Sequence, residues 1–431
     1  MISLDSKLVN ILFVSAAFFL IFFAFQTTGD LQKKITEQAQ LTIKGGFASL
    51  GIYYFVFAAA CWFVPAFVVV VGTKWALIAG TTTYVIFIVL FLYPVEWLLY
   101  IINITLGAGS AIIYITQGNY IARNSEIEGL TSATRNSGIF LMAQQASYLI
   151  CATLMYFQYT DDADFEDTDR YIIISILTFI CLIGLAMLFF LRLPPSNQAI
   201  DESNSMTCAA VFIAVKDNIL LLLERDMILL TVIFIYTGVV QAFYSGVYGP
   251  ALSDTKGLDM ESSEVLNLGY IFKGCGGFLG AAIFAVLGDL TIRWGRDVFM
   301  YMAGVFHLLA FILIFLNVPN SATFGQSNES SVIHPPNLSV AMTCSFFYGF
   351  GASFYTVHIY SMLAGSFMAE STAGFAIYKF FQCLACALSY LYSRFVSLYI
   401  QMGILIVILI AAVVCFGIVE RGPKEKNRAE T

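Results

Sequence analysis

A run of roughly 20 apolar residues is long enough to cross the hydrocarbon core of a membrane as a helix. This sequence contains twelve such stretches, at about 8–27, 47–71, 75–93, 95–122, 137–159, 171–191, 227–252, 264–288, 298–317, 338–366, 372–397 and 400–419. In lipid every backbone polar group needs a partner within its own structure, so only helices and closed barrels can span. A barrel is excluded here, because its strands alternate apolar and polar residues and these runs are continuous. Composition agrees. The 431 residues are 59% hydrophobic and only 11% charged, against about 25% charged in soluble chains. That is too little charge to cover a water-soluble surface. It excludes a cytosolic enzyme, a secreted disulfide scaffold, a disordered chain and a nucleic-acid binder. The first stretch is long enough to span and lacks a small-residue cleavage site, so it reads as an anchor and not as a signal peptide.

Charge orients the chain. With a cytosolic N-terminus and alternating helices, thirteen Lys and Arg fall in inner loops and six in outer ones. Lys273 and Lys379 lie inside apolar stretches. The inner excess predicts that both termini are cytosolic. The acids divide evenly, so the formal charge of −7 belongs mainly to the outer face. Much of it comes from Asp161, Asp162, Asp164, Glu166, Asp167 and Asp169 between the fifth and sixth helices. That run reads as a solvated loop or as an attractor for cations. The sequons at Asn328 and Asn337 fall in the longest outer loop, where glycosylation is expected. The membrane is expected to be the plasma membrane or an endolysosomal one.

The expected architecture is an all-α membrane protein of two six-helix bundles, 1–191 and 227–419. A cytoplasmic linker at 192–226 joins them and a tail follows at 420–431. Leu193-Pro194-Pro195 ends the sixth helix. Within the linker, 209–225 reads as an amphipathic helix, with Val211, Phe212, Val215, Ile219 and Leu222 against Lys216, Asp217 and Glu224. The halves echo one another. The fourth helix carries Gly107-Ala-Gly109 before Tyr114 and Gln117, and the tenth Gly349-Phe-Gly351 before Tyr355 and His358. Six plus six helices in parallel repeat, with a cavity at the midplane between them, is the major facilitator fold. The loop after the eighth helix, Gly288-Asp289-x-x-x-Arg293-x-Gly295-Arg296, resembles that superfamily's cytoplasmic latch. Asp289, Arg293 and Arg296 are its candidate gate residues. In the first half only Gly72-Thr73-Lys74 corresponds.

Ionisable groups inside a membrane are costly and mark functional candidates. Lys273 sits mid-depth in the eighth helix, among glycines that permit close packing. Lys379 sits nearer the inner end of the eleventh, where it could also snorkel. His358 and His307 read as packing residues or, for His358, a proton relay. Asp30, Glu96, Glu264, Asp289 and Glu370 all fall at expected helix ends, which disfavours a standard proton symporter. An anion or a polar neutral solute is favoured over a cation. Gln26, Gln117, Asn119, Gln144, Gln145, Gln241, Tyr244 and Gln382 supply neutral polar groups, several on the helices that line such cavities. The nine cysteines, including the Cys383-x-x-Cys386 pair, read as small packing residues. No catalytic constellation, nucleotide loop or metal-spaced cluster is present, and no cofactor is expected.

Several stretches together resemble the Unc-93 family of the major facilitator superfamily, and within it the branch of major facilitator superfamily domain-containing protein eleven. They are Ala24-Phe25-Gln26-Thr27, Thr116-Gln117-Gly118-Asn119-Tyr120, Arg135-Asn136-Ser137-Gly138-Ile139-Phe140, Phe243-Tyr244-Ser245-Gly246-Val247-Tyr248-Gly249 and Phe375-Ala376-Ile377-Tyr378-Lys379-Phe380 with Gln382. The resemblance implies the twelve-helix fold and a lysine at Lys379, whereas Lys273 departs from the expected pattern. It also implies two functions. One is solute transport by alternating access. The other is a non-transporting role as a regulatory or chaperone subunit of a potassium-type ion channel or a membrane receptor.

Overall fold

A computed structural model describes residues 6–39, 47–126, 130–158, 166–193, 208–258, 260–325 and 330–422. Every described regular element is helical. The first half holds α1 (Ser6–Gln38), α2 (Phe47–Cys61), α3 (Val64–Val71), α4 (Thr73–Leu90), α5 (Glu96–Asn124), α6 (Leu130–Gln158) and α7 (Asp167–Phe189). After α8 (Cys208–Leu222) come α9 (Arg225–Phe243), a π-helical turn (Tyr244–Tyr248) and α10 (Gly249–Ser253). The remainder is α11 (Ser262–Val286), α12 (Leu290–Trp294), α13 (Arg296–Asn317), a 3-10 turn (Asn320–Phe324), α14 (Leu338–Ser366), α15 (Ser371–Ser393) and α16 (Leu398–Arg421). The broken pair α2–α3 is the second span, α9 to α10 the seventh, and α14 to α16 the last three.

Two prolines shape the spans. Pro65 has no N–H and its ring clashes with the carbonyl four residues back, at Cys61, where α2 stops. The span resumes as α3 after a bend of 60°. Pro250 acts the same way on the carbonyl of Gly246, but there the helix widens instead of breaking. The Gly249 N–H bonds to the Tyr244 carbonyl, five residues back.

The first helix is longer than its apolar run. Hydropathy falls at Thr27, yet the helix continues to Gln38, because Leu31 and Ile35 are still fully buried on one face. Asp30 therefore lies within a helix and not at its end.

The halves meet chiefly through two helix pairs, α6 against α11 and α2 against α15, with α5 also touching α14 and α15 and α6 touching α14. Gly138 of α6 lies against the backbone of Phe284 and Ala285, and Gly274 of α11 against Leu149. The outer surfaces are apolar. On α16, Ile400, Ile404, Val407, Val414 and Ile418 form an exposed stripe at helical spacing, the face a helix turns to lipid. The repeat also persists in the backbone. Gly72 has φ 84° and ψ 153°, and Gly295 has φ 83° and ψ 151°. Each precedes the next span on the inner side, in a left-handed conformation that side chains disfavour.

Candidate functional site

The polar residues of the two halves meet in three layers. The innermost is a seam of hydrogen bonds. The Thr134 hydroxyl of α6 lies 2.8 Å from that of Ser361 on α14 and 3.2 Å from that of Thr291 on α12. Ser371 of α15 donates to the Asn119 amide oxygen at 2.7 Å, and Arg123 to the Ala369 carbonyl at 3.4 Å. Beside it, Gln117 of α5 donates to the Tyr360 hydroxyl of α14 at 2.7 Å.

Lys379 forms the second layer. Its side chain stays buried and does not snorkel. The ammonium donates to Gln382 at 2.8 Å and lies over two rings, Tyr378 at 4.5 Å and Tyr114 of the opposite half at 4.7 Å. Tyr114 is held by stacking on Phe22 and Phe57. Gln144 donates to the Tyr148 hydroxyl beside it. Gln241 of α9 donates across the halves to Tyr54 of α2 at 2.8 Å. Gln145 lies against Gly277, at the α6–α11 contact.

The outer layer holds Lys273, about 17 Å down α11 from its outer end at 1.5 Å per residue. Its ammonium lies 4.6 Å from the Tyr244 ring centre, 5.5 Å from Tyr270 and 5.6 Å from Tyr348. Such ring faces attract a cation through their quadrupoles. Tyr244 stacks on Tyr348 at 4.2 Å and donates to the Gly269 carbonyl. Facing this cage from the first half is Asp30, exposed, within electrostatic reach of Lys273. Asp30 accepts from Gln26 at 2.8 Å and from the Cys151 thiol at 3.2 Å. The sequence places Asp30 at a helix end and outside any site, because the drop in hydropathy at Thr27 mimics such an end, whereas the helix runs on to Gln38. The space between the halves is therefore not lined by cations alone.

Other candidates lie elsewhere. His358 is enclosed in the second half, its ring 4.5 Å from Phe284 and 5.2 Å from Phe299, with Nδ1 on the Phe354 carbonyl. His307 bridges the Tyr236 hydroxyl and the Tyr348 carbonyl. Arg296 is buried and binds within its own half: Glu420 of α16 by ion pair at 2.7 Å, the Ser361 carbonyl at 3.1 Å and Ser366 at 3.2 Å. Its neighbour Asp297 pairs with Arg421. Asp289 and Arg293 are exposed. Asn337 caps α14, accepting from the Ser339 and Val340 N–H groups. Asn328 lies outside the described residues, as do Asp161, Asp162 and Asp164. The rest of the acidic run starts α7, where Glu166 and Asp169 form a capping box. Among the described residues no cluster of three or more His, Cys, Asp or Glu could hold a metal ion.

Residues 37–417 match the family described as Ion channel regulatory protein UNC-93. UNC93-like protein MFSD11 of Xenopus tropicalis is 30% identical, over 98% of this chain and 98% of its own. Protein unc-93 homolog A of Bos taurus is 23% identical, over 97% of this chain and 94% of its own. Among solved structures, the Major Facilitator Superfamily transporter FucP in its outward conformation matches with a TM-score of 0.65 at 13% identity, over 96% of this chain and 98% of that one. At that identity the likeness carries the fold, two six-helix halves in the major facilitator arrangement.

Proposed function

The chain belongs to the UNC-93 family, and we propose that it is a solute carrier whose halves rock about a central polar site. The observation that supports this most is the gradient of contacts between the halves. Hydroxyls and amides interlock on the inner side at Thr134, Thr291, Ser361, Asn119 and Ser371. On the outer side the halves stay joined along α2 and α15, where Gln241 donates to Tyr54 and Tyr54 stacks on Tyr390, but Asp30 is exposed and a Cβ built on Gly29 meets nothing within 4 Å. That suits a carrier closed inside and partly open outside. It accords with the outward conformation named for FucP. In this reading Gln117, Gln241, Lys379 and Gln382 contact a small polar solute. The inner seam is the gate, and Arg296 stiffens the second half beneath it.

The test needs no known solute. Gly29→Cys reports the outer side and Ser371→Cys the inner side, each by its rate of labelling with a membrane-impermeant maleimide. Rocking halves make the two reciprocal. A bulky adduct at Gly29→Cys holds the outer side open and slows inner labelling at Ser371→Cys in the double variant. Independent rates would overturn the proposal. The family's description favours a second reading, a regulatory subunit of an ion channel. Independent labelling together with a stoichiometric channel after gentle solubilisation would put that reading in its place.

A further inference from the structure

We propose that Asp30 and Lys273 are the two poles of a binding site for a small zwitterion, its carboxylate taken by Lys273 and its ammonium by Asp30. The inference rests on the carrier reading and names its substrate class. Three observations carry it. The first is that the Lys273 ammonium has three N–H donors and no hydrogen-bond acceptor among the described residues. The faces of Tyr244, Tyr270 and Tyr348 lie around it. A cation over rings is attracted to them but still carries unused donors, and a carboxylate completes it with charge-assisted bonds.

The second observation is Asp30. Its oxygens accept one amide and one thiol hydrogen, out of about four lone-pair positions that a carboxylate offers. It is exposed and stands beside the open space at Gly29. It lies on the other half, in α1, yet it and the residue next to Lys273 border the same turn of α6. The Asp30 carboxylate bonds Cys151, and Gly274, next to Lys273, abuts Leu149. The two charges attract one another without forming an ion pair of 4 Å or less. A bare anion would gain Lys273 and be repelled by Asp30, and a bare amine the reverse. A solute carrying both charges gains both poles. Because the poles belong to different halves, such a solute also ties the halves together as they close.

The third observation is the backbone beneath the cage. Gly349 of α14 packs so closely that a Cβ there would lie 2.0 Å from the Lys273 carbonyl. The π-helical turn forced by Pro250 begins at Tyr244. Such turns concentrate at functional sites. Together they fix the lysine and the ring nearest its charge from two neighbouring helices.

The experiment measures the melting temperature of the purified full chain against the protein amino acids and 4-aminobutyrate. Each binder is compared with its N-acetyl derivative, which keeps only the anion, and its amide, which keeps only the cation. At least one zwitterion is expected to raise the melting temperature in a dose-dependent way, with both derivatives about tenfold weaker or more. Asp30→Asn should favour the N-acetyl form over the parent, and Lys273→Gln the amide. The derivative series needs only the unsubstituted protein, so it stands even where a variant does not fold. A flat panel, or a derivative that binds as well as its parent, overturns the zwitterion site. If reciprocal labelling of Gly29→Cys and Ser371→Cys persists in that case, the carrier reading survives and only the substrate class is lost.

Discussion

Arg296 carries the heaviest single-residue consequence. It is buried, pairs with Glu420 and donates to a carbonyl and a hydroxyl. Removing one partner of a buried pair strands the other, at a cost of about 3–5 kcal/mol. Arg296→Gln is therefore expected to lower the melting temperature sharply. Glu420→Gln should cost less, since its amide oxygen can still accept from the guanidinium. Equal, small shifts would show that the pair carries little. This residue was legible in the sequence as part of a charged loop, but its partners were not: Glu420 lies at the far end of α16. The same holds for Lys379, whose ring partner Tyr114 comes from the other half. A buried charge announces itself in a hydrophobic run, whereas its partner across the fold leaves no local trace. Asp30 failed the opposite way. Its neighbours Thr27 and Thr28 donate back to carbonyls one turn earlier, at Phe23 and Ala24, which satisfies them inside a helix that their polarity argues against.

Among the elements, glycine decides how closely helices approach. Gly276 and Gly349 lie where α11 crosses α14, and a Cβ at either would stand 2.2 Å and 2.0 Å from the facing carbonyls of Phe346 and Lys273. Small residues are the usual means of such contact in lipid. Gly349→Ala must push the helices apart and should destabilise by about 1–3 kcal/mol. Gly403→Ala, where nothing lies within 4 Å, should be neutral, and melting curves of the two separate close packing from simple loss of glycine. The conformations of Gly72 and Gly295 belong to this scale too. The charged motif survives only around Gly295, yet both turns keep the same left-handed backbone. The repeat is conserved as geometry where it has faded as sequence.

For the whole molecule, if the halves rock as proposed, the hydroxyl seam at Thr134, Thr291 and Ser361 sets the balance between inner-closed and inner-open forms. Interhelical hydrogen bonds in membranes contribute about 0.6–2 kcal/mol each. Thr134→Val with Ser361→Ala should therefore shift the equilibrium by roughly 1 kcal/mol, about fivefold. Inner labelling of Ser371→Cys would quicken accordingly. An unchanged rate would mean that the seam is incidental to closure and that the gate lies elsewhere.

The helical spans were determined by the sequence alone, and the expected orientation and division into halves are read from it as well. Each rests on a local quantity: the length of an apolar run, the side on which lysine and arginine gather, the place of a proline. Lipid amplifies these signals because it leaves a backbone no partner but itself. The site followed a different rule. Which of the polar residues face one another was decided by helix rotation and by the contact of two bundles far apart in the chain. So Gln117 found Tyr360, Gln241 found Tyr54, and Lys273 found a tyrosine cage with a carboxylate opposite. His358, polar on paper and on a cavity helix, turned into the core of its own half. A single rotation of 100° per residue separates those outcomes, and only packing sets it.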